Sequence, residues 1–437
     1  MKKGNTGPVP SMSDSQNNDL AADLELGNQS NRQRRFPAVF IRLLLMLSST
    51  LLVLVAIEIV LFALSAEDGT LTFRGEEIVL DPKAQAGSEI RHLVDLYTQN
   101  RDSVVRIYDP IVGWRTRPGI ERPMMTVSEA GFRGLRSVTE ERPSCFRIVT
   151  FGDSFTFGAE VLDHEAWPYL LQSLLERAGL GNEVLNFGEG GYGTDQAYLR
   201  WTREGPLFQP DLVIFGLQPE NAFRNLNVVR NLYFGSPLPF SKPRFVLHEN
   251  QSLQLVNSPP VSPEGVWQAI ENGSLLRHER YQSKSGRNWW ANGRILALFR
   301  NQMYKNPRPC RVSGLFPETE AYRLMRALIL RFRSEVIAGG TDFLVVHLPN
   351  KPSVNSMQPL AYEPLLEELA EDGVVVRPES QLRAIPPNDL WAGEGKGGHY
   401  SPLGNSIIAQ FVANSIVSSK VASEPDRMSR PAPSFAK

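Results

Sequence analysis

The chain has 437 residues, of which 42% are hydrophobic and 21% charged; that is enough apolar material for a sizeable buried core, and it excludes wholesale disorder and a fibrous, collagen-like chain. Lys plus Arg is 46 against 47 Asp plus Glu, a net charge of -1, so there is no general attraction for phosphate backbones and no nucleic-acid partner is expected. Two cysteines, Cys145 and Cys310, are too few for a disulfide-dense mini-domain or a four-cysteine metal cluster, though they leave open a single bridge between them.

Residues 1–36 are rich in Ser, Asn, Gln, Asp and Gly and poor in aromatic and β-branched residues, so they are expected to form a disordered cytoplasmic tail. Residues 37–66 hold the apolar run LLLMLSSTLLVLVAIEIVLFALS (43–65), which as a helix covers roughly 35 Å and spans a bilayer. Its one ionisable residue, Glu58, is expected to pair with a neighbouring helix or to take up a proton. Arg32, Arg34, Arg35 and Arg42 precede the run and Glu67 and Asp68 follow it, so everything after residue 66 is expected outside the cytoplasm, in the periplasm or at the cell surface. Cleavage as a signal peptide competes, through Ala63 and Ser65, but the apolar run exceeds the usual ~7–15 residues.

A polar lead-in (67–145) contains YDPIVGW (108–114) and GFRG (131–134). From 146 the pattern alternates between short β-type and longer helical segments. FRIVTFG (146–152) is followed by a helix over 165–178 whose stripe of Leu170, Leu171, Leu174, Leu175 and Ala178 ends at Gly179. EVLNF (183–187), a helix from Thr194 and LVIFGL (212–217) come next. The rhythm resumes with a helix over 318–338, FLVVHL (343–348), a helix over about 358–371, VVV (374–376), and a last helix with Ser401 as N-cap and Pro402 in its first turn. Such alternation predicts a three-layer α/β domain over 146–418, with a parallel sheet of about five strands covered on both faces. Residues 224–316 break the rhythm and form an insertion, in which Trp267, Trp289 and Trp290 serve core packing or stack on sugar rings; residues from 419 are expected to be a disordered tail.

In an open parallel sheet ligands bind beyond the carboxyl ends of the strands. Those ends carry GDSFTFG (152–158), NFGEGGYG (186–193), QPEN (218–221) and, before the last helix, GGHYSPLGN (397–405). Acyl transfer needs a nucleophile, a base and donors for the developing oxyanion. Ser154 at a tight strand-to-helix turn supplies a hydroxyl and its own N–H, Gly191 leaves its backbone approachable, Asn221 offers a carboxamide N–H, and His399 is the base. Gly188 to Gly193 also matches G-x-G-x-x-G, but Asp211 precedes the following strand and cannot serve as the ribose acid. No H-E-x-x-H or C-x-x-C spacing marks a metal site.

In this order and spacing the four blocks resemble those of the SGNH/GDSL hydrolase superfamily. YDPIVGW, GFRG and KPRFVL (242–247) extend the resemblance to membrane-anchored bacterial members, over roughly 108–418. The resemblance implies a flavodoxin-like three-layer sandwich and ester hydrolysis or acyl transfer without a cofactor. It makes Ser154 the nucleophile, Ser154 and Gly191 the backbone oxyanion donors, Asn221 the side-chain donor and His399 the base. Two places depart from the family: Lys396 and Gly397 stand where an Asp commonly precedes the histidine, and Glu220, Asn221, Ala222 replace Gly-Asn-Asp. Asp389, ten residues before His399, is the carboxylate expected to orient the imidazole; Glu394 and a backbone carbonyl are the other candidates.

The expected activity is therefore an extracytoplasmic serine esterase or O-acyltransferase acting on acyl esters, those of cell-envelope glycans included. The missing acid favours a second reading, a membrane-anchored binding or assembly protein that keeps the fold without turnover.

Overall fold

Short runs that alternate between two apolar faces, joined by helices with one apolar stripe each, can bury both sheet faces only by sandwiching the sheet between helical layers. The computed structural model has this arrangement and describes residues 15–66, 70–73, 76–79, 82–134, 138, 144–233, 236–281, 293–296, 298, 312–395 and 398–423. Five strands, β1 (Phe146–Phe151), β2 (Asn182–Asn186), β3 (Leu212–Leu217), β4 (Asp342–His347) and β5 (Val375–Val376), pair in the order β2-β1-β3-β4-β5. Every neighbouring pair is parallel, with Thr150 opposite Asn186, Ile148 opposite Leu212 and Leu217 opposite His347. This is the flavodoxin-like order, which places the point where the winding reverses between β1 and β3.

The two-residue period of the strands sorts their side chains between two cores. Ile148, Val184, Ile214 and Val346 pack with Trp167, Leu171 and Leu175 of α1 (Trp167–Arg177) and with Ile408, Val412 and Ile416 of α5 (Pro402–Ser423). Val149, Phe151, Val213, Phe215 and Val345 pack on the other face with α2 (Thr194–Glu204), α3 (Glu320–Ala338) and α4 (Glu363–Glu371), through Tyr198, Trp201, Leu328, Phe332, Leu365 and Leu369. Each such side chain contributes about 1.5–3 kcal/mol of burial. The helix expected from about 358 starts five residues later, at Glu363, with Pro364 in its first turn.

The chain divides into two compact units. One comprises 82–287 and 304–437, including the α/β sandwich, the lead-in from residue 82 and most of the insertion. There the lead-in helix Pro82–Gln99 and the insertion helix Pro263–Glu271 share a small core of Ile90, Val228, Val229, Val266 and Ile270. Trp267 packs against that core under the Arg91 guanidinium, 4.1 Å from the ring centroid, so its role is packing; Trp289, Trp290 and Cys310 lie outside the described residues. The KPRFVL segment contributes Lys242, buried in an ion pair with Asp195 at the start of α2.

The other unit comprises 1–81 and 288–303 and contains the helix Ser15–Leu64, of which Ala38–Leu64 is long and apolar enough to cross a membrane. Residues 15–36, expected to be disordered, are helical: Leu20, Ala21, Ala22, Leu24, Glu25 and Leu26 are good helix formers and extend a helix whose nucleation the apolar segment has already supplied. Residues 1–14 and 424–437 lie outside the described residues, and α5 runs to Ser423, past the expected start of the C-terminal tail. Glu58 is paired within this unit with the insertion: it accepts from the backbone N–H groups of Arg294 (2.6 Å) and Ile295 (3.1 Å) and lies 3.8 Å from Arg294 Nη1.

At the end of β4, buried His347 joins Glu379 through Nδ1 at 2.5 Å and the Tyr362 hydroxyl through Nε2 at 3.1 Å. Burial works against the Glu379 carboxylate, but the His347 contact and the nearby Arg377 outweigh it and hold its pKa at about 2, against 4.5 for a free Glu. A carboxyl with a depressed folded pKa stabilises above its unfolded value and loses that contribution as the pH falls. Thermal unfolding is therefore expected to show stability declining from about pH 4.5 towards pH 2, and Glu379→Gln should cost about 3 kcal/mol at pH 7 and flatten that decline.

Candidate active site

The turn after β1 begins at Asp153, whose carboxylate caps the one-turn helix Ser154–Phe157 by accepting the Phe155 N–H at 2.9 Å. Ser154 is thus the first residue of a helix, where backbone N–H groups have no intrahelical acceptor. The helix ends at Gly158 (φ +86°); a Cβ there would sit 2.5 Å from that of Ala166, so only glycine fits the turn. Two residues on, Glu160 adopts φ +70°, an uncommon left-handed conformation for a residue with a side chain.

Ser154 Oγ lies 2.8 Å from His399 Nε2, and His399 Nδ1 lies 2.8 Å from Glu160 Oε1. Hydroxyl, imidazole and carboxylate therefore form one hydrogen-bonded chain, the geometry of a nucleophile, a base and a group that fixes the base's tautomer. His399 is held from both sides of its loop: Tyr400 donates its hydroxyl to the Pro349 carbonyl at 2.6 Å, and Ala392 donates its N–H to the His399 carbonyl at 3.0 Å. The Phe155 ring packs against the imidazole with centroids 5.0 Å apart.

This geometry corrects the expectation for the orienting acid. Asp389 is exposed, and its backbone carbonyl accepts the Ser401 hydroxyl at the start of α5. Glu394 is exposed too, whereas Lys396 and Gly397 lie outside the described residues. Glu160 takes the place because Arg133, of the GFRG block, fastens its loop. The buried Arg133 guanidinium donates to the carbonyls of Phe157 (2.5 Å), Gly158 and Val161 (2.7 Å) and to Asp163 Oδ1 (2.6 Å). No spacing rule announces such an acid; its one trace in the sequence is a carboxylate shortly after the nucleophile turn.

The remaining two anchors converge through a second arginine. Buried Arg224 directs Nη1 at Asp153 Oδ2 (2.8 Å), at Asn221 Oδ1 (3.0 Å) and at the Tyr192 carbonyl (3.2 Å). With Oδ1 taken by Arg224, the Asn221 Nδ2, itself buried, has no hydrogen-bond partner among the described residues. An orphaned buried donor costs about 1–3 kcal/mol, an expense that an oxyanion can offset. Burial pushes the Asp153 pKa up and Arg224 opposes the shift; burial also works against the Arg224 charge, but Glu220 and Asp153 outweigh it and raise the guanidinium pKa.

Gly191 sits at φ +83° in the loop after β2, which the lead-in holds in place. Glu189 accepts from Thr116 N (2.6 Å), Thr116 Oγ1 (3.0 Å) and Gly190 N (2.9 Å); Trp114 Nε1 donates to the Gly190 carbonyl at 3.1 Å, and the Tyr192 hydroxyl donates to the Trp114 carbonyl at 2.6 Å. The loop and the start of α2 are thus committed to the strand ends and the lead-in, with Asp195 in its pair with Lys242. Among the described residues no cluster of His, Cys, Asp and Glu has the arrangement of a metal site.

Neither a protein-family model nor a curated protein matches the chain. Solved structures similar to it include a lipolytic protein assigned to the G-D-S-L family from Desulfitobacterium hafniense DCB-2, with 12% identity, TM-score 0.31, and coverage of 62% of this chain and 98% of that one. A lipase/acylhydrolase from Enterococcus faecalis has 12% identity and TM-score 0.33 over 63% and 96% of the two chains. A catalytic mutant of an acetylxylan esterase from Geobacillus stearothermophilus has 14% identity and TM-score 0.31 over 64% and 96%.

If Glu160 holds the imidazole, Glu160→Gln should slow covalent labelling of Ser154 by a fluorophosphonate by about 100-fold or more, whereas Asp389→Asn should leave the rate within about twofold. The reverse ranking would return the role to Asp389.

Proposed function

We propose that the chain is a serine esterase or O-acyltransferase of the SGNH type, anchored by one membrane helix, with its catalytic domain on the extracytoplasmic side and acyl esters, including those of cell-envelope glycans, as substrates. The observation that carries this reading is the Glu160, His399, Ser154 hydrogen-bond chain, with the unpartnered Asn221 Nδ2 at the end of the adjoining strand.

The residues account for each step given the ester and a second nucleophile, water or an acceptor hydroxyl. Ser154 Oγ attacks the acyl carbonyl carbon while His399 Nε2 takes the hydroxyl proton, and Glu160 stabilises the imidazolium through Nδ1–H. The carbonyl oxygen becomes an oxyanion facing Asn221 Nδ2 and the N–H groups of Ser154 and Gly191. Collapse breaks the ester C–O bond, and His399 returns its proton to the departing alkoxide. Water or an acceptor hydroxyl, deprotonated by His399, then attacks the acyl carbon, and His399 returns that proton to Ser154 Oγ as its bond to the acyl carbon breaks; water gives hydrolysis, an acceptor hydroxyl gives transfer. What favoured a binding protein without turnover was the missing acid ahead of His399, and that reading weakens once Glu160 stands at hydrogen-bond distance from Nδ1.

Two experiments address the chemistry and the placement. Ser154→Ala should abolish fluorophosphonate labelling and ester turnover while leaving the unfolding midpoint near wild type, and Asn221→Ala should lower kcat by about 100-fold or more with little change in KM. Equal turnover in wild type and Ser154→Ala would end the enzyme reading. For the placement, Arg32, Arg34, Arg35 and Arg42 ahead of Ala38–Leu64 lead us to expect that a reporter active only outside the cytoplasm, fused after residue 418, is active and that the chain stays with membranes through a salt wash. An inactive reporter would reverse the orientation.

A further inference from the structure

Three arginines surround the loop that carries Gly191, and they are not equivalent. Arg224 is paired with Asp153 at 2.8 Å and Glu220 at 3.6 Å, and Arg106 with Glu189 at 3.3 Å. Among the described residues Arg230, which opens the short 3-10 turn Arg230–Leu232, has no carboxylate within ion-pair distance, and its buried Nε and Nη1 have no hydrogen-bond partner. Its guanidinium lies against Gly191: a Cβ at that glycine would stand 3.3 Å from Nη2, 3.4 Å from Nε and 3.5 Å from Cζ. The rings of Tyr233 and Trp114 flank the cation, with centroids 5.3 and 6.0 Å from Cζ. Burial and the neighbouring Arg224 lower the Arg230 pKa to about 10, which still leaves it charged at neutral pH. Glu220, the nearest acid by its electrostatic influence, is already committed to Arg224 and to the Tyr233 hydroxyl at 3.0 Å.

A cation whose donors are largely desolvated, with no ion-pair partner among the described residues, is costly, and two aromatic faces offset only part of that cost. The position is therefore built to gain an anion from outside the chain, and it lies against the glycine that flanks the oxyanion site. Resting on the proposed esterase reading for the identity of that site, we propose that Arg230 binds an anionic group, a carboxylate or phosphate, carried by the substrate close to the scissile ester. The guanidinium fork suits such oxygens. The enzyme thereby selects charged esters over neutral ones of the same size.

Binding to the full chain with Ser154→Ala tests this without depending on turnover. Two matched pairs of stable esters serve as probes in ligand-observed NMR titrations: monomethyl succinate against methyl valerate, with the anion on the acyl side, and 2-acetoxyethyl phosphate against 2-methoxyethyl acetate, with the anion on the alcohol side. At least one pair should favour the charged member by about tenfold or more, and which pair does so assigns the anion to one side of the ester. Adding Arg230→Met should remove the preference, and Arg230→Lys should restore part of it, which separates loss of charge from loss of fold. Equal affinities within both pairs, or a preference that survives Arg230→Met, would overturn the proposal. Fluorophosphonate labelling of the wild type is read separately: labelling without charge preference retires the anion site alone, and charge preference without labelling retires the esterase reading alone.

Discussion

The buried ion pair between Asp153 and Arg224 is the contact on which the geometry of the site depends. Asp153 caps the nucleophile turn with one carboxylate oxygen and takes the Arg224 guanidinium with the other. The same guanidinium nitrogen fixes the orientation of the Asn221 amide and holds the Tyr192 carbonyl next to Gly191. Three loops that follow three different strands thus meet at one cation. Removing one member of a buried pair typically costs about 3–5 kcal/mol because the other charge is left stranded. Here the loss would also release the Asn221 carboxamide, so the pair acts on the geometry of the site as well as on stability.

Around this centre the lead-in acts as a brace. Trp114 and Thr116 fasten the Gly191 loop, and Arg133 fastens the loop that carries Glu160. Backbone carbonyls satisfy most of the Arg133 donors, an arrangement that can fix a loop whose own residues have little regular structure. The YDPIVGW and GFRG blocks, which lie far from Ser154 in sequence, therefore set the shape of the loops that carry Gly191 and Glu160.

How much of this could be read in the chain depends on how local the cause is. The strands, their flanking helices and the four anchors Ser154, Gly191, Asn221 and His399 follow from hydrophobic period, glycine turns and strand-end position, all of which are properties of short segments. Glu160 escaped that reading because its approach to His399 needs the left-handed turn at Gly158 and the Arg133 clamp, which come together only in the folded chain. Asp389 sits at a plausible distance along the chain, yet what its residue contributes is a backbone carbonyl for Ser401. Arg224 and Arg230 fall at the edge of an insertion without periodicity, so neither could be placed before the loops were. The helix over 15–36 shows the reverse case: polar composition pointed to disorder, while local helix propensity continued the neighbouring apolar helix.

A structure of the Ser154 phosphonyl adduct tests the proposed oxyanion site, since the adduct mimics the tetrahedral species formed in acyl transfer. The adduct is expected to show a bond from Ser154 Oγ to phosphorus, His399 still between Ser154 and Glu160, and the phosphonyl oxygen within about 3 Å of Asn221 Nδ2 and Gly191 N. No adduct at Ser154, or an adduct whose phosphonyl oxygen points away from Asn221 while Glu160 leaves His399, would contradict it.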